Sequence, residues 1–575
     1  MSKGKRLIVV WLPVIIAISI ALGIFIGNHY TSITQQGRHS FFSGGNKISA
    51  ILNIIEEQYV DTVNMTALIE ETIPQIFNEL DPHSLYISAD DAQAANEDLE
   101  GSFSGIGVSF NMQTDTILVI SVIPGGPAEK AGLQPFDRII TINDSVFAGK
   151  VINQTQITKT LRGEENSTVK LGVQRSNQPE LISFVVTRGN VPVNSIDVAY
   201  LINNDIGYIK ISKFGRTTYN EFLTSIAKLK QAGANSFVID LRGNTGGYMD
   251  AAVNMINEFM PRGELIVYTE GKAFPRRDVY ADGSGTCKEN QIVVLTDETS
   301  ASASEIFAGA IQDNDRGIIV GRRTFGKGLV QAPIQLNDGS EIRLTIARYY
   351  TPSGRSIQKT YQLGHSEDYE MDIYNRFEHG EFDYADSIKV DDNLKYETNK
   401  GRIVYGGGGI MPDIFIPRDT SGLTSYFTTI VNNMIHYSYA LDYSDKNKDK
   451  LSSFETYQDL HKHLKQQPLL EEFTNYAEIK GVKKRPSLIA ISGKLIETQI
   501  HAYIVRHFFE EEGFYPIFQQ GDVTLNKAIQ ILSEGKALSF SEFIKKATDG
   551  DLRSQTTIKG RYGLAKERVY TTITA

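Results

Sequence analysis

The hydrophobic pattern of this chain changes its period several times, and each change separates one kind of structure from the next. Residues 28–100 are predicted to be an N-terminal helical region, because apolar positions recur at helical spacing from about Lys47 to Leu99, with a second amphipathic run that ends at Leu80. Alternating apolar and polar positions in residues 101–190 are typical of half-buried strands. Strand-like apolar runs then alternate with helical segments through residues 191–417, and residues 418–575 are mainly helical in pattern. The sequence therefore predicts a multidomain α/β protein.

The stretch S-A-S-A-S-E, residues 300–305, lies where a strand-like run ends and a helical pattern begins. The run before it covers Gln291 to Thr296, and the helical pattern continues to Asp313. A strand–turn–helix unit places a small hydroxyl beside unpaired backbone N–H groups, which is what an acyl-transfer nucleophile requires. Ser302 and Glu305 also have the spacing of a helix capping box, so a purely structural role for Ser302 stays open at this stage.

A lysine is the candidate partner of that serine. Lys327 follows the next apolar strand on a glycine-flanked loop, beside the apolar Phe325, Leu329 and Val330. The chain has ten histidines, but none between His83 and His365, so the usual base of a serine hydrolase is missing from this stretch. A lysine acts as a base only when neutral, so its pKa near 10.4 has to fall by roughly 3, about 4 kcal/mol. Desolvation by apolar neighbours lowers a lysine pKa in this way.

The glycines near these residues allow two further interpretations. D-L-R-G-N-T-G-G, residues 240–247, follows an apolar strand, and its glycines can aim N–H groups at a developing oxyanion or simply form turns. Gly321 to Lys327 fits the spacing of a phosphate-binding P-loop. The residue after Lys327 is Gly328, however, so the Ser or Thr hydroxyl that holds Mg²⁺ in a P-loop is absent from the motif.

Three other segments carry polar groups but no clear chemistry. In D-P-H-S, residues 81–84, His83 is interpreted as a turn or packing residue. Residues 365–392 hold ten acidic residues against two basic ones, which favours a solvated loop or flap. His461 and His463 have no carboxylate or further histidine at helical spacing, so no metal site is predicted.

Composition narrows the class of protein. The chain is 41% hydrophobic and 22% charged, as globular proteins are, and its formal charge is −10. The acidic balance argues against a nucleic-acid partner. The single cysteine, Cys287, excludes both a disulfide framework and a cysteine-ligated zinc site.

The N-terminus predicts a membrane anchor. Residues 7–27 are 21 residues without a charge, long enough to span a bilayer, and residues 1–6 before them include Lys3, Lys5 and Arg6. Positive flanks stay cytoplasmic, so the remaining chain is expected on the outer side of a bacterial cytoplasmic membrane, facing the periplasm or exterior. A cleaved signal peptide is the rival interpretation, but the apolar run is longer than a usual signal core.

Residues 101–190 resemble a PDZ domain. The resemblance rests on G-P-A-E-K-A-G-L, on D-R-I-I, and on a carboxylate-binding loop formed by Gly105, Ile106, Gly107 and Val108. PDZ domains bind the C-termini of peptides by adding a strand to a sheet edge. One departure is the turn Pro135-Phe136-Asp137, where Gly-Asp is more usual. A structural β-domain without a ligand is the alternative.

Six motifs in one order around this module resemble the carboxy-terminal processing proteases of peptidase family S41. They are D-P-H-S, D-L-R-G-N-x-G-G, S-A-S-A-S-E, T-F-G-K-G-x-V-Q, Y-T-P-S-G-R-S-I-Q and G-G-G-G-I-x-P-D, within residues 45–417. The resemblance implies a crotonase-like α/β core, with the PDZ module inserted before it and a tail from residue 418 outside the shared pattern. It also implies roles for six residues: Ser302 as nucleophile, Lys327 as base, Gln331 as the group that orients the amine, and Ala303 with Gly246 or Gly247 as oxyanion donors.

The function implied is that of a serine endopeptidase that cleaves envelope proteins near exposed C-termini and needs no metal or cofactor. A non-catalytic PDZ scaffold, with Ser302 only a helix cap, is the alternative. The substrates, the role of the tail and any homo-oligomer stay open.

Overall fold

The computed structural model describes residues 19–24, 47–113, 116–149, 154–175 and 178–535, together with residue 542. The chain forms two compact units, residues 1–80 and residues 81–575. The first unit contains the two helices that the apolar spacing predicted, which are α1 (Lys47–Gln58) and α2 (Met65–Asn78). Asn64 caps α2, because its side-chain oxygen accepts the N–H of Ala67 at 3.2 Å.

The predicted anchor falls largely outside this description. Residues 19–24 are helical, while residues 7–18 and 25–27 lie outside the described residues. None of the helices within the described ranges combines the length and apolar character needed to cross a bilayer.

The second unit begins with strand β1 (Leu85–Ile87) and helix α3 (Ala89–Glu100), followed by a small β-domain. Its elements are β2 (Ser102–Gly105), β3 (Val108–Gln113), β4 (Thr116–Val122), α4 (Pro127–Ala131), β5 (Arg138–Ile142), β6 (Ser145–Val146), α5 (Gln154–Leu161), β7 (Thr168–Gln174), β8 (Ile182–Thr187) and β9 (Gly189–Pro192). The antiparallel sheet runs β3-β4-β5-β7-β8, with β6 on β5, while β2 pairs with β9. Apolar residues of this sheet and of both helices enclose a separate core, as the alternating pattern predicted.

The central domain is built on a six-stranded sheet. Its strands are β10 (Ile196–Ile202), β11 (Ile206–Ile211), β12 (Ser236–Asp240), β15 (Gln291–Thr296), β16 (Ile318–Gly321) and β21 (Ile414–Phe415). The order is β10-β11-β12-β15-β16-β21, and every pair except β10 with β11 is parallel.

Helices cover both faces of this sheet. One face packs on α6 (Thr218–Gln231), α7 (Met249–Asn257) and α8 (Ala303–Asp313). The other face packs on α16 (Val523–Gly535), which comes from the far end of the described chain. Because both faces are covered, the central strands read as continuous apolar runs rather than alternating ones.

A second sheet is formed by strands that lie, in chain order, between strands of the first sheet. It contains β13 (Leu265–Glu270), β14 (Arg277–Tyr280), β17 (Leu329–Gln335) and β18 (Glu341–Tyr350), and β18 also pairs with β1. A small hairpin of β19 (Lys395–Glu397) and β20 (Ile403–Tyr405) follows.

The acidic segment, residues 365–392, is largely solvated as its charge predicted, but part of it is a helix rather than a loop. Helix α9 (Ser366–Glu378) forms there, with Tyr369 and Arg376 buried. Arg376 pairs with Glu381 at 2.9 Å and donates to backbone carbonyls of residues 323 and 324. The positive charge of Arg376 is therefore paired inside the protein. A count of acidic residues along the chain does not show this pairing.

The remaining helices form a C-terminal helical domain with its own apolar core. They are α10 (Ser425–Asn432), α11 (Ile435–Lys446), α12 (Lys448–Leu451), α13 (Tyr457–Leu464), α14 (Leu469–Ile479) and α15 (Pro486–Phe518). Helix α15 bends at Glu510, where φ is 49°.

Candidate active site

Two loops meet at the carboxyl edge of the central sheet. The glycine-rich loop follows β12, and the serine-rich turn follows its parallel neighbour β15. Backbone and side-chain hydrogen bonds join the loops directly. Asn244 O accepts the N–H of Ala301 at 3.0 Å and the hydroxyl of Ser304 at 2.9 Å, and Leu241 O accepts the hydroxyl of Ser300 at 2.8 Å. Carboxyl edges of parallel strands are the usual location of α/β sites.

Ser302 differs from its two neighbouring serines. Ser300 and Ser304 are fully buried and use their hydroxyls to hold the loops together. Ser302 is only half-buried, and it immediately precedes α8 with φ 54° and ψ −114°. A positive φ is uncommon for a residue with a side chain, and such strain is characteristic of nucleophile turns.

Lys327 lies on the loop between β16 and β17. Burial lowers its pKa, and Glu305 and Asp81 oppose that shift while the charge of Arg343 adds to it. Desolvation acts in the direction that the sequence predicted for a lysine base. In the structure, Ser302 Oγ and Lys327 Nζ are not hydrogen-bonded to each other. Catalytic hydrogen bonds are often long in a substrate-free site.

Two other side chains bind the backbones of both Ser302 and Lys327. Glu305 Oε2 accepts the N–H of Ser302 at 2.9 Å and the N–H of Lys327 at 2.8 Å. The Tyr349 hydroxyl lies 3.0 Å from the carbonyl oxygen of Ser302 and 2.5 Å from that of Lys327. We call Glu305 and Tyr349 the backbone clamp. The clamp fixes the serine turn and the lysine loop relative to each other.

Glu305 itself is a buried carboxyl with a perturbed pKa. Its Oε1 accepts the N–H of Gly326 at 2.7 Å and the hydroxyl of Thr324 at 2.5 Å. Burial raises its pKa to about 7, against the lowering effect of these donors and of the N–H groups of Ser302 and Lys327. The sequence identified Glu305 only as the glutamate of a capping box with Ser302. The structure contains the bond of that box in which the Glu305 carboxylate accepts the N–H of Ser302.

The two glycines of the glycine-rich loop have different partners. The N–H of Gly246 donates to Asn244 Oδ1 at 2.8 Å. Within the described part of the chain, the N–H groups of Gly247 and Ala303 have no acceptor. Both glycines have positive φ, and a Cβ on Gly246 would lie 2.7 Å from the Cβ of Ser302. Only glycine at residue 246 allows this close approach of the loop to the serine.

Gln331 lies on β17 and does not contact Lys327. Its side-chain amide donates to Thr345 Oγ1 at 3.1 Å, and Thr345 in turn donates to Asp81 at 2.9 Å. Asp81 also accepts the Ser84 hydroxyl at 2.5 Å. The D-P-H-S turn is therefore part of the surroundings of the lysine loop, which its position more than 200 residues earlier in the chain did not indicate.

His83 of the same turn is also closer to Lys327 than the chain order suggested. Burial, followed by the charge of Lys327, lowers its pKa to about 3. Its Nε2 lies 2.9 Å from the hydroxyl of Tyr369, and the two rings meet edge to face. The packing role predicted for His83 agrees with these contacts, and its imidazole is neutral at ordinary pH.

The predicted carboxylate-binding loop borders a groove of about 250 Å³ in the β-domain. Ile106, Gly107 and Val108 line it directly, while Gly105 ends strand β2. Gly107 has φ 77°, so the loop turns sharply there. The other side chains around the groove come from β2, from β3 and from helix α5 and its end, and they are Phe103, Ser109, Phe110, Gln154, Thr158, Leu161 and Arg162.

Three family models match this chain. Peptidase family S41 matches residues 205–371, the PDZ domain matches residues 104–196, and a family of unknown function matches residues 426–510. The S41 match contains the glycine-rich loop, the serine turn and the lysine loop.

Named relatives cover a larger part of the chain. A probable CtpA-like serine protease of Staphylococcus haemolyticus is 34% identical over 360 residues, which are 62% of this chain and 71% of the relative. The carboxy-terminal processing protease CtpB of Bacillus subtilis is 33% identical over 54% of this chain and 65% of that protein. A solved photosystem II D1 C-terminal processing protease is 28% identical, covering 53% of this chain and 88% of that chain with a TM-score of 0.31.

The family match, the identity and the coverage agree with the motifs and with the strained serine beside a desolvated lysine. The chain belongs to peptidase family S41 and is a serine-type peptidase that carries a PDZ domain.

Proposed function

We propose that this peptidase cleaves proteins near their C-termini through an acyl-enzyme on Ser302, with Lys327 as the base. The observation that carries the proposal is the backbone clamp, which ties a strained, half-buried serine to a lysine whose pKa is lowered by burial. The names of the relatives, one of which is a carboxy-terminal processing protease, support the choice of substrate end. They also favour catalysis over a PDZ scaffold.

The chemistry follows from these groups. Neutral Lys327 accepts the proton of the Ser302 hydroxyl while Oγ attacks the carbonyl carbon of the scissile bond. The tetrahedral intermediate collapses when the lysine returns that proton to the leaving amine, which gives the acyl-enzyme. A water molecule, deprotonated by Lys327, then releases the new C-terminus and restores the serine. In this scheme Gln331 rotates from Thr345 and accepts a hydrogen bond from the lysine amine.

Ala303 and Gly247 supply the oxyanion donors in this scheme. The N–H of Ala303 is in the first turn of α8, where helix N–H groups lack intrahelical partners. The scheme does not use Gly246 as a donor, because the N–H of Gly246 already donates to Asn244 Oδ1. The role of Gly246 is to bring the loop next to Ser302, and the role of Gly247 is to donate.

The PDZ groove selects substrates by their terminal carboxylate. The backbone turns at Gly107 beside the groove, and in this proposal the N–H groups of residues 105–108 bind the terminal carboxylate. A substrate strand would add to β3, which is an edge strand of its sheet.

We also propose that residues 7–27 anchor the enzyme in the cytoplasmic membrane as a single span, with the catalytic domain on the extracytoplasmic side. The support is the uncharged run and its positive flank, Lys3, Lys5 and Arg6. Protease added to intact spheroplasts should degrade the catalytic domain. Protection of that domain from added protease would refute the orientation.

The experiment for the catalytic proposal is turnover of a C-terminally tagged protein with a free or an amidated terminus. Ser302→Ala and Lys327→Ala should each lower kcat/KM by at least about 10⁴-fold, and the double variant should be no worse, because the two residues act as one unit. Ser304→Ala is the matched control, since its hydroxyl only holds the Asn244 carbonyl, and it should keep most activity. Circular dichroism checks folding. A dead Ser304 variant beside an active Ser302 variant would overturn the assignment.

A further inference from the structure

One turn of the PDZ domain packs against the C-terminal helical domain. Phe136, between β4 and β5, is only 4% exposed, and it forms a buried cluster with Leu118 of β4 and Leu441 of α11. Its ring centroid lies 5.7 Å from that of His507 and 6.2 Å from that of Phe508, both on α15. An aromatic side chain of one domain is therefore inserted between helices of the other.

Polar contacts surround this apolar insertion. Arg138 of β5 forms an ion pair with Asp445 of α11 at 2.9 Å. Lys448 of α12 donates to the carbonyl of Pro135 at 3.1 Å, and its ammonium lies 5.3 Å from the centre of the Phe136 ring. The contact thus has an apolar centre and a charged rim, which is the anatomy of a specific interface.

The backbone conformation at Phe136 indicates that the fold requires the aromatic ring at this position. Its φ is 72°, in the left-handed region that bulky residues avoid and glycine tolerates. The turn is held by the N–H of Phe136, which donates to Val119 O at 2.8 Å and does not need the ring. A phenylalanine here costs backbone strain, and the packing of its ring on the C-terminal helical domain offsets that cost.

The end of helix α15 and the segment that follows it contact the protease core. Tyr515 donates to Asp197 at 2.8 Å, and Asp522 pairs at 2.8 Å with Arg242 of the glycine-rich loop. Helix α16, which follows directly, covers one face of the central sheet. The C-terminal helical domain and the segment after it therefore contact both the PDZ turn and the core.

The docked surface and the peptide groove use different residues. The groove is lined by β3, α5 and the residues beside them, whereas the docked surface consists of Leu118, the Pro135–Phe136 turn and Arg138. Docking therefore leaves the groove accessible to a peptide.

We propose that the C-terminal helical domain is the docking platform of the PDZ module and holds the peptide groove at a fixed place relative to the catalytic serine. The surface that binds the PDZ module belongs to the C-terminal helical domain, and its partner is the Phe136 turn of the same chain. The surface is formed by Tyr437, Leu441, Asp445, Lys448, His507 and Phe508. This gives residues 425–518 a function, and it stands whether or not the proposed substrate preference is correct.

Distance measurements on the full-length protein test the proposal. Val185 of the PDZ domain and Ile479 of the C-terminal helical domain are 64% and 84% exposed, and each can be replaced by cysteine for spin labelling. The only native cysteine, Cys287, is buried. The wild-type background should give one narrow distance distribution by double electron–electron resonance. Phe136→Gly should widen that distribution at least twofold, because glycine keeps the turn but removes the ring.

Three further variants complete the test. Asn166→Gly relieves the same kind of positive φ (68°) elsewhere in the PDZ domain and should leave the distribution narrow. Arg138→Glu should widen the distribution, and Arg138→Glu combined with Asp445→Arg should narrow it again. An unchanged width in Phe136→Gly, or equal widening in Asn166→Gly, would overturn the proposal.

Discussion

Replacing Glu305 by glutamine tests the backbone clamp with the smallest change in volume. The carboxylate accepts four donors, two on each oxygen, from Ser302, Lys327, Gly326 and Thr324. A glutamine has one acceptor oxygen and one NH₂ group. In one orientation the NH₂ faces the N–H groups of Ser302 and Lys327, and in the other it faces the N–H of Gly326. Either way at least one buried N–H loses its acceptor and meets another donor.

The size of the effect follows from the number of bonds lost. A hydrogen bond to a charged group contributes about 1.5–3 kcal/mol, so one or two lost bonds weaken the fold by roughly 2–6 kcal/mol. The same loss lets the serine turn and the lysine loop move apart, and a misplacement of about 1 Å can cost 10²-fold in rate. We therefore expect Glu305→Gln to lower kcat by about 10²-fold, with a lower melting temperature.

The assay is kcat and KM on a C-terminally tagged peptide, together with thermal unfolding. Tyr349→Phe removes the other half of the clamp, which is one neutral hydrogen bond of roughly 1 kcal/mol. This variant should therefore lose less kcat and less thermal stability than Glu305→Gln. Glu455→Gln, at an exposed carboxylate of the C-terminal helical domain, is the control and should change neither quantity. Wild-type kcat and melting temperature in Glu305→Gln would refute the clamp.

The pH dependence of stability gives an independent readout for the same variant. Burial raises the pKa of Glu305 from 4.5 to about 7, so the folded protein holds this proton more tightly than the unfolded chain. Because the folded-state pKa of Glu305 is raised, ionisation of this carboxyl lowers the free energy of unfolding as pH rises from about 4.5 through about 7. The stability advantage of wild type over Glu305→Gln should be largest below pH 4.5 and should shrink across this window. A difference that grows with pH would contradict the raised pKa.

Four further predictions concern the base, the oxyanion donor and the groove. Lys327→Arg should lower kcat/KM by about 10⁴-fold or more, because a guanidinium with a pKa above 12 cannot act as a base near neutral pH; near-normal turnover of the tagged peptide would exclude Lys327 as the base. In wild type, kcat/KM should rise with pH as Lys327 loses its proton and should level off below pH 10.5, because burial lowers that pKa, whereas a rise only above 10.5 would contradict this. Gly247→Ala should lower kcat by about 10²-fold, since the new Cβ would lie 2.2 Å from Phe214 O and displace the donor N–H, and an unchanged kcat would remove Gly247 from the oxyanion site. Gly107→Asp should raise KM for free-acid substrates by about 10-fold over Gly107→Asn, because the two variants differ only in the charge that meets the carboxylate, and equal KM values would place carboxylate recognition elsewhere.

Local patterns predicted the local parts of the site. The apolar run Gln291–Thr296 is strand β15 over the predicted residues, and the helix after the serine turn ends at Asp313 as predicted. The spacing of Ser302 and Glu305 also predicted correctly that the carboxylate accepts the serine N–H. Each of these features depends on neighbours within about one helical turn, which is the range over which sequence patterns are informative.

Long-range contacts could not be read in the same way. Glu305 takes its other donors from a loop about twenty residues later, so its role as a clamp exists only in the folded sheet. His83 is absent from the sequence around Ser302, yet folding brings it near enough to Lys327 for that charge to lower its pKa. The charge count of residues 365–392 correctly predicted a largely solvated segment, but it did not predict helix α9 or the buried pair of Arg376 with Glu381. A pattern along the chain does not contain the partner that satisfies a buried charge.

The central claim is that Ser302 is a nucleophile whose reactivity depends on Lys327. The most direct measurement is treatment of the full-length protein with a fluorophosphonate probe, followed by peptide mass spectrometry to find the modified residue. We expect one adduct, on Ser302, formed in wild type and in Ser304→Ala but reduced by about 10²-fold or more in Lys327→Ala. An adduct on another residue, no adduct in wild type, or equal labelling of Ser302 in Lys327→Ala would contradict the account.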